Sequence, residues 1–395
     1  MARPSSRPRD QRLDLFRGLT MLIIFVAHVP DNPWGDWIPA RFGFSSGTEL
    51  FVFCSGVASA LAFSGVFETR GLAMGTARIA WRCWQVYWAH AGLFLASVAL
   101  AAALDRLTGS SHIVATQFAP LLADPGGAIL AFLTLRWLPQ YLDILPMYLV
   151  ILAMVPAVMG LRRLHPALPF VLVAGLYATV WLRGLELDGD PLTHDPWFLN
   201  PFSWQAVFFL GFFFAKGWIK VPPLRRPVLV AIAVAGLLFT VPVAHKAVYG
   251  SLQWALDVRV AILPLNEKAD LHWLRILHFL LLAYVALSLV EPSRTSLDAH
   301  PAGRLLVRIG RQSLGTFLAS LLLARAAGVV LDIEGRGAGP AAAVNLAGLA
   351  LVVVAALTVE WFKSAPWSKP HKHPDTQPAQ AAAPGPSSVP EPTTA

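Results

Sequence analysis

Arg17 and His28 stand eleven positions apart in the first apolar stretch, Leu13 to Pro30, LDLFRGLTMLIIFVAHVP. On a helix that step is three turns plus about 20°, so both side chains leave one face, about 16 Å apart along the axis. Asp14 lies one turn below Arg17 on nearly the same stripe. A guanidinium holds phosphates and carboxylates through charge-assisted hydrogen bonds. An imidazole titrating near neutrality takes a proton from a hydroxyl. A low cation and a high imidazole on one face suit acyl transfer from an anionic, long-armed thioester. Acyl-coenzyme A is such a donor: its nucleotide end would sit at Arg17 and its thioester near His28. Glu49 or Asp143 would then orient the imidazole or stabilise its charged form. Arg82 and His90 join Arg17 and Asp14 as donor-side candidates. No Ser or Cys stands beside His28 as an obvious nucleophile, which favours direct transfer.

The helix that must position this pair is a membrane span. The chain has 395 residues, is 56% hydrophobic and has only 14% charged residues. A soluble domain carries about a quarter charged residues. The stretch from Leu13 is long enough to cross a hydrocarbon core of roughly 30 Å. It reads as a retained span rather than a signal peptide, because it is too long, contains Arg17 and His28, and lacks a small-x-small cleavage site. The net charge of +8 does not point to nucleic acid, since arginines and lysines retained in cytoplasmic loops give the same excess. The two cysteines, Cys54 and Cys83, lie in apolar segments and form neither a disulfide framework nor a metal-ligand spacing.

Ten apolar segments follow in order: 13–30, 47–67, 79–104, 138–160, 168–184, 203–219, 227–244, 270–290, 312–331 and 340–362. The expected fold is therefore an all-α, polytopic membrane helix bundle of about ten transmembrane helices. Its parts are a basic tail at 1–12, a transmembrane domain at 13–363 and a disordered Ala/Pro/Ser-rich tail at 364–395. With ten spans both termini share one side. Of the 31 basic residues, 21 fall on that side and eight on the other, with Arg275 and Arg325 inside spans. This split puts both termini in the cytoplasm of a bacterium, with the chain in its inner membrane among the lipids it contacts.

Ionisable residues inside spans are expensive and default to functional hypotheses. Here they are His28, Glu49, His90, Asp143, Arg275, His278 and Arg325, with Gln205 and Trp204 as neighbours. Apart from the mid-membrane His90, this topology places them in or near the outer half, as a polar cavity open to the periplasm would require. Each also has a plainer reading. Arg17 can be a snorkelling positive-inside residue. Ser46-x-x-Glu49 before an apolar run is a capping box. Trp204 can belong to an aromatic belt. Asp143, Arg275 and Arg325 can pair inside the bundle.

The segment RLDLFRGLTMLIIFVAHVPDN, Arg12 to Asn32, resembles the start of the OpgC family, which succinylates osmoregulated periplasmic glucans. It also resembles the Arg-x10-His pattern of the acyltransferase-3 type membrane acyltransferases. GFSSGTELFVFCSG from Gly43, YLDILPMY from Tyr141 and NPFSWQAVFFLG from Asn200 extend the likeness over most of the first eight spans. Ser46, Gly47 and Thr48 stand where the family usually has Asp-Ala-Ala. The resemblance implies an inner-membrane O-acyltransferase with Arg17 and His28 as the functional pair, succinyl-CoA as donor and a periplasmic glucan or other glycan as acceptor. Trp204, Gln205, Arg275, His278 and Arg325 are the substrate-side candidates, and Arg275 or Arg325 could hold a succinyl carboxylate. The same polar cavity also suits a secondary transporter or flippase, which would move a substrate without consuming a thioester. A non-catalytic partner of a glycan-synthesis complex is the third reading, in which Arg17 and His28 are silent.

Overall fold

The computed structural model describes residues 11–112, 117–139, 141–190, 195–290 and 300–368. Most of the basic N-terminal tail and most of the tail after 364 lie outside the described residues. Among those described, the chain is all-α, with one isolated bridge, Asp188 to Pro196. The helices are α1 (Gln11–His28), α2 (Gly47–Thr108), α3 (Pro120–Ala123), α4 (Pro125–Leu133), α5 (Ile144–Leu164), α6 (Leu168–Arg183) and α7 (Pro201–Ala215). They continue as α8 (Pro227–Ala244), α9 (Lys246–Tyr249), α10 (Gln253–Ile262), α11 (Trp273–Leu289), α12 (Pro301–Arg311), α13 (Ser313–Glu334) and α14 (Ala338–Ser364).

Helices α2, α5, α8, α13 and α14 are long and apolar enough to cross a membrane, and α6, α7 and α11 are shorter apolar helices. This is a membrane protein. α2 runs for 62 residues but is not one rod. Gly71, at φ 85° and ψ 176°, occupies backbone space closed to residues with a Cβ, so the run divides into limbs 47–70 and 72–108. Those limbs coincide with the second and third apolar segments.

Three stretches expected as loops contain helices. The 105–137 connection holds α3 and α4, and 245–269 holds α9 and α10. The connection before α13 holds α12, which exposes Arg304 and Arg308 while burying Val307, Ile309 and Gly310. Hydropathy averaged along such a helix mixes its two faces and hides it. In the opposite sense, the segment expected to span from 138 becomes helical only at Ile144. Leu135 (φ 59°) and Tyr141 (φ 69°) hold left-handed backbone conformations that no α-helix contains.

α7 lies at the centre, with Trp204, Phe208, Phe209 and Phe212 fully buried. A Cβ at Gly56 would strike the Phe208 carbonyl and one at Gly211 the Phe53 carbonyl, so α2 and α7 touch backbone to backbone. α8 and α14 bury only 17% and 22% of their most apolar stretches, which leaves them to face lipid. α1 is gripped at both ends. Near its start it meets α12 through Gly18 and Gly310. Beyond its end, Arg336 donates to the carbonyls of Pro30 (2.7 Å) and Asp31 (2.9 Å), while Gly328 of α13 receives the Pro30 ring.

Candidate active site

The foot of α1 gathers cations. Arg17 donates from Nη2 to the Ser313 hydroxyl at the start of α13. Its Nε is buried without a hydrogen-bond partner. Arg82, on the second limb of α2, and Lys363, on the last turn of α14, join it. The charges of Arg82 and Arg17 both act on the Lys363 ammonium. Asp14 is fully buried and lies 3.6 Å from Nε of Arg311, so it contributes to the α1–α12 contact. Three cations that repel one another, one with a bare buried N–H, make a place for a multiply charged anion.

At the head of α1, His28 Nδ1 lies 2.7 Å from the Ile24 carbonyl, one turn back. A carbonyl only accepts, so the neutral ring carries its hydrogen on Nδ1 and presents a bare lone pair at Nε2. That is the tautomer a general base needs. The ring is steadied by Tyr141, edge-on at 4.9 Å between centroids. Tyr141 owes this position to its left-handed backbone, a conformation that large residues keep only where the surroundings enforce it. Lys268, in the loop between α10 and α11, acts electrostatically on His28. Burial holds Lys268 below the ordinary lysine value; Glu49 and Asp143 oppose this and Arg275 adds to it. Thus His28, Tyr141, Asp143 and Lys268 share one end of the bundle with Glu49 and Arg275. Between foot and head, Thr20, Met21 and Ile24 of the same stripe are packed inside the protein.

Neither carboxylate orients His28. Glu49 is fully buried and its two oxygens are both occupied. Oε1 receives Nε (2.8 Å) and Nη2 (2.7 Å) of Arg275, and Oε2 receives the amide (2.8 Å) and hydroxyl (2.7 Å) of Ser46. The capping box is therefore real, and it doubles as the anchor of α11 to α2. Asp143 sits at the N-cap of α5 and faces Lys268. His278 holds the turn before α2: the Ser45 amide (3.2 Å) and hydroxyl (2.7 Å) both address its Nδ1. Gly43 presses against the same ring so closely that a Cβ there would strike Nε2.

The other candidates have structural surroundings. Trp204 donates from its indole to the carbonyls of Lys268 (3.2 Å) and Ala269 (3.0 Å), and so positions the loop rather than lining a cavity. Asn200 does the same through Asp270 (2.9 Å) and the Leu185 carbonyl (2.8 Å). Gln205 donates to the Val173 carbonyl at 2.8 Å, tying α7 to α6. His90 stacks on Phe132 at 4.7 Å, with both ring nitrogens buried and unpartnered. Arg325 lies 5.3 Å over the Phe118 ring with Nη1 buried and unpartnered, and its charge acts on Tyr141. The residues sequence reasoning missed, Tyr141, Lys268, Ser45, Asn200 and Lys363, sit in loops or at helix ends. The recognisable signal among them was NPFSW, an N-cap Asn followed by Pro at the first helical position.

Among the described residues no group of His, Cys, Asp and Glu could hold a metal ion. Comparison with curated proteins and with solved structures finds no match. The family model of the OpgC protein matches residues 9–364, nearly the whole chain, so the chain belongs to the OpgC family.

Proposed function

We propose that the protein is an inner-membrane O-acyltransferase that moves a succinyl group from cytoplasmic succinyl-CoA to a hydroxyl of a periplasmic glucan. The supporting observation is α1 itself: a cation cluster at its foot, and at its head an imidazole whose Nδ1–H is spent on Ile24 so that Nε2 is free. In this reading the ten apolar segments all span, α2 contributes two, and both termini are cytoplasmic.

Arg17, Arg82 and Lys363 bind the phosphates of the donor's nucleotide end. The arm runs along α1, an axial distance of about 16 Å. Because Thr20, Met21 and Ile24 fill that stripe, donor binding parts α1 from its neighbours. His28 Nε2 removes the proton of the acceptor hydroxyl as its oxygen bonds to the thioester carbonyl carbon. The Tyr141 hydroxyl and the Lys268 ammonium are the donors available to the oxyanion that forms. Collapse breaks the carbon–sulfur bond, and imidazolium returns its proton to the departing thiolate. The products are the ester and free coenzyme A. Arg325 takes the distal carboxylate of the succinyl group, since Arg275 is already bound to Glu49.

The test is binding of succinyl-CoA to purified protein in detergent, wild type against Arg17→Ala. Losing one charge-assisted contact costs about 1.5–3 kcal/mol, or roughly 10- to 150-fold in affinity. Equal affinity in folded protein would overturn the donor site. Transport of a substrate into vesicles with no thioester consumed would favour the transporter reading.

A further inference from the structure

The cavity at the His28 end has a charge pattern that a neutral sugar does not need. It measures about 770 Å³ and lies between the segment around Trp37 to Ser46 and the segment around Ala244 to Arg275. Arg41, Lys246, Arg259, Lys268 and Arg275 line it against one carboxylate, Asp36. Glu49 neutralises Arg275. Arg259 is held over the Tyr249 ring at 4.3 Å and donates to the Val243 carbonyl at 2.9 Å. Lys246 and Lys268 have no carboxylate within ion-pair distance among the described residues. The walls also hold flat rings: Trp37, Phe44 and Tyr249, with His245 stacked on Phe42 at 4.6 Å.

Resting on the acyl-transfer reading, we infer that the acceptor entering this cavity is an anionic glycan, one whose sugars already carry phosphate or carboxylate substituents. A neutral oligosaccharide is gripped by amides, which both donate and accept, and by carboxylates, which accept from its hydroxyls. Among the charged and amide side chains lining this cavity only Asp36 and Asn266 can accept, and five are cations. A concave, low-dielectric wall of one sign concentrates counter-charge and speeds its capture. The rings match the apolar faces of pyranose units, which a lipid headgroup lacks, and this favours a glycan over an anionic lipid. Lys268 lines this cavity and also acts electrostatically on His28, which puts the cavity at the same end of the bundle as the base. One consequence is that each succinyl group added makes the glycan a better ligand, so substitutions cluster on the same chain.

The experiment compares binding of a fluorescent laminari-oligosaccharide with its carboxymethylated form to the full-length protein, at low and high salt. Binding does not depend on turnover, so its outcome is separable from failure of the transferase reading. The expected result is on the order of 10-fold tighter binding of the anionic form at low salt. That advantage should shrink with salt and in Lys246→Gln and Arg41→Gln, while the neutral form is unaffected. Equal binding of the two forms, or an advantage unmoved by salt and by both substitutions, overturns the inference. So does displacement of the anionic probe by phosphatidylglycerol nanodiscs or by free coenzyme A but not by unlabelled carboxymethyl oligosaccharide.

Discussion

Replacing Arg275 by Met separates two roles for that arginine. If Arg275 anchors Glu49, the substitution leaves a fully buried carboxylate with only its two Ser46 contacts, at 2.8 and 2.7 Å. Removing one partner of a buried pair costs about 3–5 kcal/mol, because the remaining charge is left uncompensated. Both Arg275 contacts, Nε at 2.8 Å and Nη2 at 2.7 Å, reach Oε1, so one substitution strips that oxygen entirely. Glu49→Gln should also be costly, since it removes the counter-charge of the buried Arg275 guanidinium and sets an amide group, with one acceptor in place of two, between Arg275 and the Ser46 amide. The Glu49→Gln/Arg275→Met double variant should lose less than the sum of the two, with a coupling of about 1–3 kcal/mol. Denaturant unfolding in detergent, followed by fluorescence, measures all three. If instead Arg275 bound the acyl carboxylate, Arg275→Met would keep wild-type stability and change the preference for succinyl-CoA. A loss under about 1 kcal/mol, with no coupling to Glu49, would refute the anchoring role.

Arg325→Met should lower the preference for succinyl-CoA over butyryl-CoA by roughly 10- to 150-fold, the value of a lost charged hydrogen bond; competition assays with both donors check it. Trp204→Phe removes two indole contacts to the loop carrying Lys268. It should reduce kcat more than it raises KM for donor, with a stability loss of about 0.5–1.5 kcal/mol. Lys268 binds its proton less tightly in the folded protein than in the unfolded chain, whose ordinary value is 10.5. In the window between its lowered value and 10.5 the unfolded chain holds more protons, so stability should rise with pH there. Lys268→Met should abolish that rise, as unfolding measured across alkaline pH will show.

The apolar segments were legible because all but the first match helices, or limbs of α2, apolar enough to register without knowledge of their partners. The Ser46–Glu49 cap was legible because it is local: three residues fix it. Arg17 and His28 could be placed at the two ends of one helix face from spacing alone. What pairs with them could not be. Glu49 finds Arg275 and Ser45 finds His278 across more than two hundred residues, contacts set by how α11 docks on α2. His28 is oriented by the Ile24 carbonyl, and a backbone partner has no signature in residue type. Tyr141 and Lys268 were hidden because their positions depend on loop backbone, a left-handed φ in one case and the Trp204 and Asn200 contacts in the other. α12 was hidden because its arginines cancel its apolar face in any running average.

The most direct measurement is single-turnover transfer from succinyl-CoA by purified His28→Asn, with donor binding measured on the same sample. If Nε2 is the base, binding stays at the wild-type level while transfer falls by about 10²- to 10⁴-fold. Wild-type transfer by that variant would contradict the account, because His28 Nε2 is the base it names.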